Sequence, residues 1–162
     1  MSPGKKRITI ERTYDDATIE DVWELWTTKD GIESWWGPEG FAVTVQHLDL
    51  RPGGELVYTM TATVPETIAF MKNAGMPVAT QTRLVYDEIV PPRRLAYTNR
   101  VDFVPGVATY DNGTVIELEA RGAAVHLTLT LDAMHDETWT SRAVMGWENE
   151  LGKLERALAA RR

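Results

Sequence analysis

Two polar residues of this 162-residue chain fall where strand alternation could turn them inward, Glu88 and Asn99, and the first could do acid–base chemistry. Period-two alternation from Leu84 and Tyr86 brings Glu88 to one strand face, and Asn99 follows Tyr97 in the same way. A carboxyl buried on that face would have a raised pKa and could give or take a proton. The competing arrangement is a β-bulge ahead of Pro91, which turns Glu88 to solvent and Ile89 inward, and it is preferred. His47, His126 and His135 are not spaced at i, i+4, and none adjoins a carboxylate ligand motif, so no metal site is expected. His126 alternates with Leu127 and should face outward, while His135 precedes a long helix, a loop or capping position. Asp49 and Glu55 flank Arg51 around a glycine turn that they should fix electrostatically. With no cysteine, thiolate nucleophiles and disulfides are excluded. There is no G-x-S-x-G, phosphate-cradling glycine loop or dinucleotide fingerprint, so no cofactor is expected. Without a convergent acid–base set, the chain reads more as a binder than as an enzyme.

The second concentration of chemistry is aromatic. Trp35 and Trp36 stand directly before the helix-ending pair Gly37-Pro38. Neighbours on a helix point about 100° apart, so one tryptophan is expected to enter the core and the other to line an opening, with their assignment left open. Strand alternation sends Tyr58, Met60, Leu84, Tyr86, Tyr97, Leu127 and Leu129 inward. Met145 and Trp147 are placed to face them from the last helix. Tyrosines supply apolar walls with hydroxyl handles, and methionines supply adaptable surface, which is the chemistry of a selective apolar pocket. Tyr110, in YDNGT, reads as a surface loop residue.

The elements that must position these side chains follow from periodicity. Lys6–Arg12 alternates as a strand with Ile8 and Ile10 inward. Thr18 is a helix N-cap, with Asp21 three residues on. Ile19, Val22, Trp23 and Trp26 then form one apolar helical face. Asp30–Trp36 is a second short helix. Strands follow from Phe41 to about Leu50 and through Leu56, Tyr58 and Met60, with Arg51-Pro52-Gly53-Gly54 as the turn between them. Further strands are expected over Gln81–Ile89, Arg94–Phe103, Thr114–Ala120 and Val125–Leu131. Asp136 caps a long helix reaching about Ala160, striped by Ala143, Val144, Trp147, Leu151, Leu154 and Leu158. Gly146 and Gly152 interrupt it at about 1 kcal/mol each. Runs of strands without alternating helices indicate an antiparallel α+β fold as one domain over 1–162, with the long helix covering the sheet.

Bulk charge narrows the partners. With 24 acidic against 17 basic residues the net charge is −7, which gives no attraction for nucleic acid or anionic membranes. Lys5-Lys6-Arg7 and Arg161-Arg162 are expected to be solvated ends. No apolar run approaches about 18 residues, and none resembles a signal peptide, so a cytoplasmic location is expected.

The pieces WWGP, LDLRPGG, VPPRRLAY and GWENELGKLERAL resemble the Hsp90-ATPase-activator-homologue family of the START-like, Bet v 1-like helix-grip superfamily. The resemblance runs from about Ile8 to Leu158. It implies a seven-stranded sheet wrapped around the C-terminal helix, with two short helices after the first strand. It further implies a cavity between sheet and helix of the kind that holds apolar molecules in the superfamily.

The expected function is therefore binding of a small apolar or aromatic ligand. The expected lining is Trp35, Trp36, Tyr58, Met60, Phe70, Met71, Tyr86, Tyr97 and Met145. A chaperone-interacting module, as the family name suggests, is the alternative, and a cyclase- or hydratase-type enzyme using the same cavity is the third. A monomer or homodimer is expected. The connection ATVPETIAFMKNAGMPVATQ is longer than such proteins usually carry between their third and fourth strands. Its Glu66–Asn73 segment is a short helix with Ile68, Phe70 and Met71, either a lid over the cavity or a structural cap.

Overall fold

The computed structural model of the protein describes residues 6–102, 104 and 106–161. Strand β1 (Arg7–Tyr14) leads into helices α1 (Ile19–Thr27) and α2 (Lys29–Trp35), then strands β2 (Phe41–Leu48) and β3 (Glu55–Ala62). Helix α3 (Pro65–Asn73) precedes β4 (Ala79–Val90), β5 (Arg94–Val101), β6 (Tyr110–Arg121) and β7 (Ala124–Asp132), and α4 (Glu137–Ala160) closes the chain. The strands form one antiparallel sheet in the order β1-β7-β6-β5-β4-β3-β2. From β2 onward this is a meander, and only β1 lies out of sequence, joined to β7. The architecture is the α+β helix grip that the sequence implied.

Local chemistry sets the element ends. Thr18 caps α1 by accepting from the Asp21 N–H at 3.1 Å, and Asp136 caps α4 by accepting from Trp139 N–H at 2.8 Å. Thr28 closes α1 and opens α2, its hydroxyl oxygen accepting from Gly31 N–H at 3.0 Å. Gly31 must lack a side chain, because a Cβ there would lie 2.4 Å from the Glu24 carbonyl oxygen. Helix α2 stops at Trp36, and Gly37 turns the chain away at φ +88°, a conformation costly for other residues. Phe103, the expected end of β5, lies outside the described residues.

The expected bulge is present. Register shifts between Tyr86 and Glu88, so Glu88 is exposed and paired with Arg94, while half-buried Ile89 packs on the core. Asn99 is half-buried, opposite Leu84 on one side and Asn112 on the other. No inward carboxylate comes from β4.

Helix α4 does not cover the sheet evenly. Its backbone runs nearest β1, α1 and α2, of which α2 packs in turn on β2, at the edge of the sheet opposite β1. Its buried residues, Leu151, Leu154 and Leu158, all belong to its C-terminal half. In the N-terminal half Ala143, Val144 and Trp147 are only half-buried, and so are Met60, Thr82 and Asn99 on the sheet. The grip is tight at one end of the helix and open at the other.

Two expected lining residues lie elsewhere. Met145 is 69% exposed, because it sits about 100° round the helix from Val144, beyond the half-buried stripe. Phe70 is 67% exposed: α3 is anchored to the fold by buried Met71, which leaves its neighbour pointing to solvent. Arg161 also departs from expectation, reaching Asp21 at 3.8 Å and Glu24 at 3.1 Å on α1. Lys5 and Arg162 lie outside the described residues.

Candidate functional site

The end of α2 packs a continuous ring cluster against the sheet and α4. Trp26 meets Trp35 edge-on at a centroid distance of 4.7 Å, Trp36 at 6.0 Å, and stacks on Trp147 of α4 at 5.8 Å. Trp36 continues the cluster to Tyr58 at 5.3 Å and Tyr97 at 6.3 Å on strands β3 and β5. The tandem pair divides as its 100° separation requires, although both members are buried. Trp35 is wholly buried, and its indole N–H donates to the Leu25 carbonyl at 2.7 Å, which makes it a structural brick. Trp36 turns to the sheet. It lies inside the grip and not at an exposed entrance, a correction to the sequence expectation.

A polar group unmarked by the strand pattern stands beside this cluster. Glu150 of α4 accepts the Gly37 N–H at 2.8 Å, and Lys153 one turn on donates to the Gly37 carbonyl at 2.7 Å. Glu39 N–H donates to Asn149 Oδ1 at 3.1 Å, and Arg156 pairs with the Glu39 carboxylate. Four residues of α4 therefore hold the WWGPE turn against the helix. Loss of water around the Glu150 carboxyl pushes its pKa up to about 7, against the opposing pull of the Gly37 N–H and the Lys153 ammonium. Lys153 is shifted down, chiefly by its own desolvation.

The phenols face the same interior. Burial raises the pKa of Tyr58, and the Glu150 carboxylate and Tyr86 add to it. Tyr97 is raised by burial first, then by Tyr58 and Glu150. Tyr86 is raised by burial. All three are therefore neutral hydroxyls near pH 7. The Tyr97 hydroxyl lies near Thr114 without closing a hydrogen bond of ordinary geometry. Trp36 Nε1 and Trp26 Nε1 are likewise buried with no hydrogen-bond partner among the described residues.

Of the residues expected to line a cavity, the fold brings Trp35, Trp36, Tyr58, Tyr86 and Tyr97 into the buried core and places Met60 at its half-open edge. Met71 is buried on α3. Phe70 and Met145 are not part of this set. Glu150 was legible in one respect: it falls three residues after Trp147 and four before Leu154, a charge on the buried stripe of α4. Trp26 read only as one member of an apolar helical face, because nothing in the sequence shows that its ring meets Trp36.

The outer face of the sheet carries two grooves. One, of about 460 Å³, is lined by charged side chains that already pair with each other. Arg94 contacts Glu88 and Glu117 there, and outward-facing His126 meets Glu11 at 2.8 Å. The other, of about 320 Å³, holds Asp132, which accepts from Gly113 N–H at 2.8 Å and pairs with Arg7 at 3.3 Å. At the glycine turn, Asp49 pairs with Arg51 at 2.7 Å, whereas Glu55 reaches Arg83 at 3.4 Å instead. Tyr110 opens β6, and its hydroxyl lies 2.8 Å from His135 Nδ1. Among the described residues no cluster of three or more acidic, histidine or cysteine side chains could hold a metal ion, and no helix is long and apolar enough to cross a membrane.

A meandering antiparallel sheet gripping one long C-terminal helix is the START-like, Bet v 1-like class of fold. Within that class the chain belongs to the family described as Activator of Hsp90 ATPase homolog 1-like protein, whose sequence model matches residues 16–159. Similar solved structures include a protein of Chromobacterium violaceum at 24% identity, with a TM-score of 0.76 over 94% of this chain and 96% of that one. The AHSA1 protein of Silicibacter pomeroyi aligns at 19% identity and a TM-score of 0.75, covering 97% and 100% of the two chains. An AHSA1-like protein of Aeromonas hydrophila aligns at 19% identity and a TM-score of 0.72, covering 96% and 93%. No curated protein sequence matches the chain.

Proposed function

We infer that the protein binds a small, largely apolar molecule in the concavity between α4 and strands β3 to β6, with Trp36, Tyr58 and Tyr97 at its inner end. The observation that carries this reading is the uneven grip. The N-terminal half of α4 stays half-buried above half-buried Met60, Thr82 and Asn99, and the interior beneath ends in aromatic rings with uncommitted polar atoms. Ordinary cores close over their inward residues and pair their buried polar groups. Aromatic walls with a few polar groups at one end are the common build of a small-molecule site. A chaperone-docking role, which the family description raises, ranks below this reading because the uncommitted groups lie inside the grip. Native mass spectrometry of the purified protein tests the proposal. A bound species of small-molecule mass, released by mild activation, is the expected result. Only the bare chain, together with no saturable binding of naphthalene-sized probes, would reject it.

A further inference from the structure

We propose that the inner end of the grip selects molecules carrying an uncharged hydrogen-bond acceptor, a ketone or amide carbonyl, held by the Trp36 indole N–H and the Tyr97 hydroxyl. The proposal rests on the binding reading above and adds the chemical class of the ligand. Among the described residues, the buried side-chain polar atoms without a hydrogen-bond partner are Trp26 Nε1, Trp36 Nε1 and Tyr97 OH. They are not scattered. Trp36 contacts both other rings, Trp26 at 6.0 Å and Tyr97 at 6.3 Å.

The indoles are one-sided donors, whereas a phenol hydroxyl can donate or accept. What completes Trp36 must accept, and the same acceptor can take the Tyr97 proton. Trp35 shows the contrast, since its indole N–H in the same cluster is already taken by the Leu25 carbonyl. A donor left unpaired in a desolvated site disfavours the empty state and rewards a ligand that supplies the acceptor.

Charge decides between acceptors. The Glu150 carboxyl accepts the N–H of Gly37, the residue after Trp36, and adds to the rise in the Tyr58 and Tyr97 pKa values. Lys153 donates to the Gly37 carbonyl and offsets Glu150 only in part, since burial still raises the Glu150 pKa against its pull. A carboxylate or phosphate ligand would therefore meet an acidic group at short range in a medium that screens poorly. An ammonium ligand would suit Glu150 and could donate to the Tyr97 oxygen, but it would leave the Trp36 indole N–H unpaired. A neutral carbonyl satisfies both conditions.

Four naphthalene probes of similar shape separate these cases: 2-acetylnaphthalene, 2-isopropenylnaphthalene, 2-naphthoate and 2-naphthylmethylammonium. Each is titrated into the full chain by calorimetry and by ¹H–¹⁵N NMR of the indole N–H signals. The ketone should bind about tenfold more tightly than the alkene, the value of one added hydrogen bond in a buried site. It should also bind more tightly than either ion, and it alone should move the Trp36 indole proton downfield. Tyr97→Phe and Trp36→Phe should each lower the ketone-to-alkene affinity ratio about threefold or more, with melting temperature and NMR dispersion confirming that the variants fold. Equal ketone and alkene affinities with saturable binding would overturn acceptor selection and leave the grip as a ligand site. Tightest binding of either ion would overturn it as well. Failure of all four probes to bind would remove the binding reading and this inference together.

Discussion

The Tyr97 hydroxyl and the Glu150 carboxyl are buried at a cost to the folded chain, and each cost can be measured. Removing a buried hydroxyl that lacks a partner eliminates its desolvation penalty while the ring keeps its packing. Tyr97→Phe is therefore expected to leave the ligand-free protein as stable or up to about 1–2 kcal/mol more stable in urea unfolding. A loss of about 1 kcal/mol or more would show the hydroxyl to be hydrogen-bonded in the free protein. Glu150 gives a pH signature. Its folded pKa of about 7 stands above the ordinary 4.5, so the unfolded chain releases this proton first as pH rises. The associated stability is fully present below about pH 4.5 and declines up to about pH 7, by roughly 2–3 kcal/mol. Glu150→Gln keeps an oxygen to accept the Gly37 N–H but has no proton to lose. The variant should gain stability over the parent chain at pH 8 and not at pH 4.5, as read from paired denaturant midpoints. A parallel offset at both pH values would contradict the assignment.

Among the elements, α4 carries most of what the sequence made legible and most of what it hid. Its cap at Asp136, its length and its stripe of Leu151, Leu154 and Leu158 follow from residue type and helical period. The strands were equally plain, since alternating apolar residues between turn signals leave few other arrangements, and the bulge at Glu88 was anticipated by its position before Pro91. The site was less legible because it depends on contacts between elements distant in sequence. Nothing local shows that Trp36 meets Tyr58 and Tyr97, or that Glu150 holds the amide of Gly37. Facing was also misjudged where an element lies at the edge of the fold, as for Phe70 and Met145. A Cβ at Gly146 or Gly152 would meet no atom within 4 Å, so neither glycine serves a close approach. Gly152→Ala should stabilise the protein by about 0.5–1 kcal/mol through helix propensity. No gain, or a loss, would show that α4 needs this flexibility. Phe70→Ala should change stability by less than about 0.5 kcal/mol, as an exposed side chain away from the core. A loss of about 3 kcal/mol or more would return Phe70 to the core.

Across the whole molecule, on the proposed binding reading, the layout that closes the hydrophobic core also sets where a ligand would enter. Helix α4 packs on β1 and on α1 and α2, of which α2 also packs on β2 at the opposite edge, and its tight half holds the WWGPE turn through Asn149, Glu150, Lys153 and Arg156. Its other half leaves the inner faces of β3 to β5 half-covered. An apolar molecule would enter there, pass Met60 and Trp147, and stop at Trp36 and Tyr97. On the outer face, the groove at Arg94 and His126 is lined by charges already paired, and the groove at Asp132 is lined mainly by small and hydroxyl side chains. The most direct test of this account is an intermolecular NOE experiment on the full chain saturated with 2-acetylnaphthalene. The expected result is a set of contacts from the naphthalene protons to the Met60 methyl and to the Trp147, Trp36 and Tyr97 rings. Contacts to Thr98, Val115 and Thr130 on the outer face, with none to the rings inside the grip, would contradict it.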